Sequence, residues 1–285
     1  MGSFKDEAVG KFMVLFWGPP KVGKSVLASQ FPNLYYVNVD DGLGSVKAMT
    51  TKQGIDIDFK HFNVGSGKTT DKDYIELCGE KMAMNSSAWT KNKKLAEMLA
   101  KTCKEDDTIV IDHLARIGEF LQRHIERSTG NRPLQIQDWN TFTMELTDYF
   151  DYFKDEACKA NVIILGHDNY YEEKATGELR KLLLLPSSMR QRIPGFVSEV
   201  LYIHTEVSGG KRNRQFTRHL QSMPDRMTAT GSRSLIPDME NPTYLKMKPY
   251  LEAYLGKKLP EPTWTPDEKL FGEGIVEKEV KNITK

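Results

Sequence analysis

The chain has 285 residues, 39% hydrophobic and 28% charged, with a net charge of +1, an ordinary globular composition with ample material for one packed core. The start lacks an apolar leader and no run of about 18 apolar residues occurs, which argues against secretion or a membrane span. Three cysteines, Cys78, Cys103 and Cys158, are odd in number and without a CxxC pair, so reduced thiols in a cytosolic compartment are expected.

Taken in chain order, residues 12–16 are a short apolar run entering a glycine turn and read as a buried strand. Residues 26–31 read as a helix stopped by Pro32, and 34–39 as a second strand ending in Asp40-Asp41-Gly42. A third strand is expected over 55–64, followed by a polar stretch to residue 94 that reads mainly as loop. A helix over 95–103 leads to the buried strand 108–112. Amphipathic helices over 114–127 and 136–160 precede another buried strand, 161–165. Strands over 179–185, 199–204 and 214–221 then follow, with a short helix over 244–255. From Leu259 the prolines 260, 262 and 266 among scattered charges suggest a flexible tail to residue 285. The expected organisation is therefore an α/β core in a domain spanning 1–258, with a β-rich C-terminal half.

Charge is unevenly spread. Between Arg180 and Arg233 ten lysines and arginines face three acids, a local surplus that suits a polyanion.

Gly18-Pro19-Pro20-Lys21-Val22-Gly23-Lys24-Ser25 has the Gly-x-x-x-x-Gly-Lys-Ser spacing of a phosphate cradle. Two glycines let the backbone turn its N–H groups toward a phosphate, and the next helix, beginning near Val26, adds its positive end. Lys24 would reach the β- and γ-phosphates and Ser25 would offer its hydroxyl to Mg2+. A second glycine-lysine cluster, Val64 to Thr70, fails the spacing test because Phe62 stands where the first glycine should be.

Asp112 ends an apolar strand downstream of the cradle, the position of a carboxylate that holds the metal. Asp40, after the strand that follows the cradle helix, is the candidate for polarising an attacking water. Asp40-Asp41-Gly42 also reads as a turn chosen for its backbone. His167, after Gly166 at the end of the strand 161–165, is the candidate for contact with the γ-phosphate.

The order of these pieces resembles the RecA-like ATPases, in particular the compact phage-encoded group of nucleotide-binding or RecA-like single-strand annealing proteins. The resemblance runs from Phe12 to about Pro237. It implies a RecA-like fold with a mostly parallel central sheet flanked by helices, with ATP as nucleotide, and location in the cytoplasm of a bacterial host. Asp40 stands at the family's catalytic glutamate, Asp112 at its Walker B carboxylate, and His167 at a sensor position held by Gln or His. His113 replaces a small hydroxyl residue after Asp112. The resemblance makes residues 168–186 a DNA-facing loop, carrying Tyr170, Tyr171, Lys174, Arg180 and Lys181. Arg190 and Arg192 are further candidate contacts to single-stranded DNA, with Lys211, Arg212, Arg214 and Arg218 completing the basic set. Met223-Pro224-Asp225-Arg226 resembles a late Lys-Asp-Arg element, from which Arg226 alone carries over as a group reaching a neighbouring subunit in a homo-oligomer. A single-strand binding protein is an expected partner of the tail. The expected function is ATP-driven annealing or strand exchange; a nucleotide kinase and an ATP-switched helicase-loader-like module are the alternatives.

Overall fold

The computed structural model describes residues 10–40, 42–64, 87–173, 177–186, 188–209 and 215–267. Strand β1 (Met13–Gly18) leads through the cradle to helix α1 (Lys24–Ala28) and then to β2 (Leu34–Asn38). Helix α2 (Leu43–Lys52), β3 (Lys60–Asn63), α3 (Ala88–Thr102), β4 (Thr108–Asp112), α4 (Leu114–Ser128) and α5 (Asp138–Lys154) follow. The second half runs β5 (Asn161–Glu172), β6 (Leu179–Leu183), α6 (Met189–Phe196), β7 (Glu199–Ser208), β8 (Gln215–Gln221), β9 (Gly231–Ser232), β10 (Met239–Glu240) and α7 (Tyr244–Leu255).

The main sheet has the order β10-β8-β7-β1-β5-β4-β2-β3. Strands β3, β2, β4, β5, β1 and β7 are mutually parallel, and β8 and β10 continue the sheet antiparallel. Strand β1 is buried along its whole length, as its unbroken apolar sequence requires of a parallel strand covered on both faces. Its side chains alternate between two cores. Met13, Leu15 and Trp17 join the layer of α3, α4 and α5; Phe12, Val14 and Phe16 join the layer of α1 and α7. The result is an α/β sandwich with a mostly parallel central sheet, helices on both faces and a strand-rich C-terminal half.

Several elements depart from the sequence reading. Helix α2 was not anticipated: only Val46 and Thr50 are buried on it, too few to create an apolar period. Strand β3 covers only the end of the expected strand 55–64. Helix α3 begins at Ala88, inside the stretch read as loop, because Ser87 caps it by accepting the Thr90 N–H at 3.1 Å. Residues 168–186 are not an open loop: β5 extends to Glu172 and pairs antiparallel with β6 as a hairpin. Helix α6 was also missed, since Pro194 lies within it. The rejected glycine-lysine cluster at 65–70, Asp41, Cys78, Lys174 and 211–214 lie outside the described residues.

The flexible-tail boundary at Leu259 also needs correction. Residues 259–267 strap over the turn that follows α1: Leu259 and Trp264 are buried, and the Trp264 indole donates to Ser29 Oγ at 3.0 Å. Thr263 donates its N–H to Gln30 O at 2.9 Å, and the Tyr244 hydroxyl donates to Pro260 O at 2.8 Å. Proline suits this extended path, so the composition that reads as disorder here serves a packed segment. The rest of the tail, 268–285, lies outside the described residues.

Trp264→Ala should therefore lower unfolding stability by about 3–5 kcal/mol, the usual cost of emptying a buried indole site. Urea denaturation checks this; an unchanged midpoint would show that the strap contributes nothing.

Candidate functional site

The carboxyl ends of β1, β5, β4 and β2 lie side by side, the edge at which open α/β sheets bind ligands. Register sets which residues meet there: Gly18 stands opposite His167, Asp112 opposite Leu165, and Asn38 opposite Asp112.

The cradle residues Gly18 to Val26 form one continuous turn into α1. Gly18 has φ 145° and lies so close to the Ile203 carbonyl oxygen that a Cβ would collide with it. Gly23, at φ 93°, caps α1 in a left-handed conformation. Val22 and Val26 are buried and anchor the loop, whereas Pro20 and Lys21 face solvent. Lys24 is itself buried, and its Nζ donates to Gly18 O at 2.8 Å and Pro19 O at 2.6 Å. Burial lowers its pKa to about 8, against the opposing pull of Asp112 and Asp168.

Ser25 Oγ donates to Asp112 Oδ2 at 2.8 Å, and the buried Tyr36 hydroxyl donates to the same oxygen. Gly42 closes this corner: a Cβ there would strike Asp112 Oδ2. A hydroxyl and a carboxylate held together are hard oxygen donors, and they fit a magnesium ion that draws its other ligands from water and phosphate.

Asp40, half exposed, accepts from or is paired with His113, with Nε2 to Oδ2 at 3.1 Å. The rings of His113 and His167 meet edge to face at 4.2 Å, and His167 Nδ1 lies 3.2 Å from Lys24 Nζ. With Lys24 as donor, His167 must present a bare Nδ1. Burial, then the charge of Lys24, lowers the His167 pKa to about 4, so it is a neutral hydrogen-bonding group at pH 7. His113 Nδ1 is buried and lacks a hydrogen-bond partner among the described residues. Sequence reasoning noticed His113 only as a departure from the family. Its adjacency to Asp112 at the sheet's carboxyl edge was the available signal.

The structure thus brings Lys24, Ser25, Asp112, Asp40 and His167 into one cluster and adds His113. It leaves the other candidates outside it. Tyr170 and Tyr171 are exposed on the β5–β6 hairpin, opposite Lys181 and Arg180 respectively. Arg180 pairs with Glu173 at 2.9 Å, Lys181 lies over the Tyr202 ring, and Arg190 lies over Tyr171. Arg192 is exposed on α6, and Arg226 is exposed in the turn after β8. A groove of about 900 Å³ between β2, β3 and the strap, lined by Asn33, Tyr35, Lys60 and Glu261, sits at the opposite end of β2 and takes no part in this cluster.

A phosphate loop at the carboxyl edge of a parallel sheet, with an acidic strand end beside its serine, defines a P-loop nucleotide-binding ATPase domain. A family model described as an AAA domain matches residues 11–234, and the chain belongs to that family. Among solved structures, the flagellar accessory protein FlaH from Methanocaldococcus jannaschii is similar at 14% identity and a TM-score of 0.38, over 75% of this chain and 77% of that one. Comparison with curated proteins finds no match. Among the described residues no helix is long and apolar enough to cross a membrane.

The Lys24 environment has a pH consequence. Its free-site pKa of about 8 means the ammonium is lost as pH rises above 8, while a bound polyanion favours the charged form. Nucleotide affinity should fall above pH 8, by up to about tenfold per pH unit, with proton uptake on binding. Calorimetry in buffers of different ionisation enthalpy measures this; binding without proton uptake at pH 9 would contradict it.

Proposed function

We propose that this chain binds and hydrolyses ATP with Mg2+ and uses the cycle to act on single-stranded DNA in annealing or strand exchange. The observation that carries the ATPase reading is the convergence of Lys24, the Ser25–Asp112 pair and the Asp40–His113–His167 group on one sheet edge. Ser25 and Asp112 would hold the metal, which when bound supplies positive charge against the phosphate oxygens. Lys24 exchanges its loop carbonyls for phosphate oxygens. Asp40 accepts a proton from the attacking water, and His113 fixes the direction of that carboxylate, which is one methylene shorter than a glutamate. Neutral His167 hydrogen-bonds the γ-phosphate region without adding charge.

The DNA reading rests on continuity along β5. His167 touches Lys24, and three residues further along the same strand Tyr170 stands exposed, followed by Tyr171. On this reading a shift at His167 on loss of the γ-phosphate would be carried along the strand to Tyr170 and Tyr171, whose rings would stack bases from its two faces. Lys174, Lys181, Arg190 and Arg192 would track the phosphates. Arg180, ion-paired with Glu173, contributes less. Homo-oligomerisation through Arg226 and recruitment of a single-strand binding protein through residues beyond 267 belong to the same proposal.

Phosphate release with Mg-ATP, measured with and without single-stranded DNA, tests it. DNA should stimulate turnover, and Lys24→Ala should abolish nucleotide binding. Asp40→Asn should lower kcat about 100-fold or more while leaving binding near normal. Tyr170→Ala with Tyr171→Ala should remove DNA stimulation only. Product formed solely when a nucleoside monophosphate is supplied would replace this reading with a kinase.

A further inference from the structure

Arg218 reads in the sequence as one more member of the basic stretch. Its position in the fold is different. Strand β8 runs antiparallel to β7, with Arg218 opposite Thr205, and β7 in turn borders β1. This brings the Arg218 side chain back to the phosphate loop from the flank opposite Asp112. A Cβ placed at Gly23 would lie 2.7 Å from Arg218 Cζ, 2.9 Å from Nε and 3.0 Å from Nη1. The guanidinium therefore fills the space beside Gly23, the residue immediately before Lys24. Gly23 is needed here twice over, for its φ of 93° and for the room it leaves the arginine.

The backbone of Arg218 is tied to Asn241 through both its N–H and its carbonyl. Its N–H donates to Asn241 Oδ1 at 3.2 Å, and the Asn241 N–H donates to Arg218 O at 2.7 Å. Asn241 adopts φ 46°, a left-handed conformation that asparagine tolerates better than most residues. It lies between β10 and α7.

We propose that Arg218 is a second phosphate-binding cation of the site, acting in cis with Lys24 and contacting the phosphate chain of the bound nucleotide. The inference rests on the nucleotide-binding reading above and adds a residue to it. A planar fork of N–H donors matches phosphate oxygens better than a point charge does. Lys24 starts α1 and Arg218 lies on β8, so a phosphate chain held by both would be clamped between α1 and β8. Burial lowers the Arg218 pKa to about 10, which leaves it charged at neutral pH.

The test compares wild type, Arg218→Gln and Lys24→Ala for binding of ATP and of inorganic tripolyphosphate, which lacks a base. Arg218→Gln should weaken both ligands about 10- to 100-fold, the usual effect of losing a charge-assisted hydrogen bond. Equal affinity in Arg218→Gln and wild type would overturn the assignment, while the nucleotide-binding reading stands. Weakening of ATP with tripolyphosphate unaffected would also overturn it, since the arginine would then contact the base. Wild type that binds neither ligand would sink both inferences together. Should Arg218→Gln fail to fold, phenylglyoxal modification of wild type decides: tripolyphosphate should protect Arg218, and unhindered modification at saturating ligand would count against the proposal.

Discussion

The site depends on the hydrogen-bonded register of four parallel strands buried on both faces. Side chains along a strand alternate in direction, so a slip of one residue between β1 and β5 would turn His167 away from Lys24. The same slip between β4 and β2 would separate Asp112 from Tyr36. Burial prevents such slips: Met13, Leu15 and Trp17 fill one core while Phe12, Val14 and Phe16 fill the other, and exchanging them would disrupt both. The apolar packing of the sheet thereby fixes the polar geometry at its edge.

That edge carries an electrostatic burden. Lys24 and Asp112 are both almost fully buried, and burying charge is unfavourable unless the groups find partners. Lys24 meets the need with its own loop carbonyls and His167, and Asp112 with Ser25 and Tyr36. These are the groups that a nucleotide and its metal would claim. Burial of the ammonium is what lowers the Lys24 pKa, with Asp112 and Asp168 pulling the other way.

Two strands extend from this centre. Strand β5 continues past His167 into the hairpin with Tyr170 and Tyr171, while β8 returns to Gly23 with Arg218. The cluster is thus flanked by an outward-reaching arm on one side and an inward-reaching cation on the other. The basic stretch between Arg180 and Arg233 divides accordingly: some of its cations lie at the hairpin and α6, paired or exposed, and one packs against the phosphate loop. Composition registers only their sum.

The cradle, the acidic end of β4 and the limits of α7 were legible in the amino-acid order because each is set locally. Glycine is demanded by a backbone angle, an apolar run by burial, and a helix by its own period. Asp40 and His167 were legible as strand-end residues, with their roles supplied by resemblance. The Asp40–His113 pair, the approach of Arg218 to Gly23 and the docking of Trp264 on Ser29 join residues 73, 195 and 235 positions apart. No local preference encodes such contacts. Helix α2 escaped notice for a related reason, since its one buried stripe is too sparse to register as periodicity. The sequence alone determined that a phosphate loop would form and which strand would face it; the tertiary structure decided which side chains surround that loop, because strand order and register, not chain proximity, bring them there.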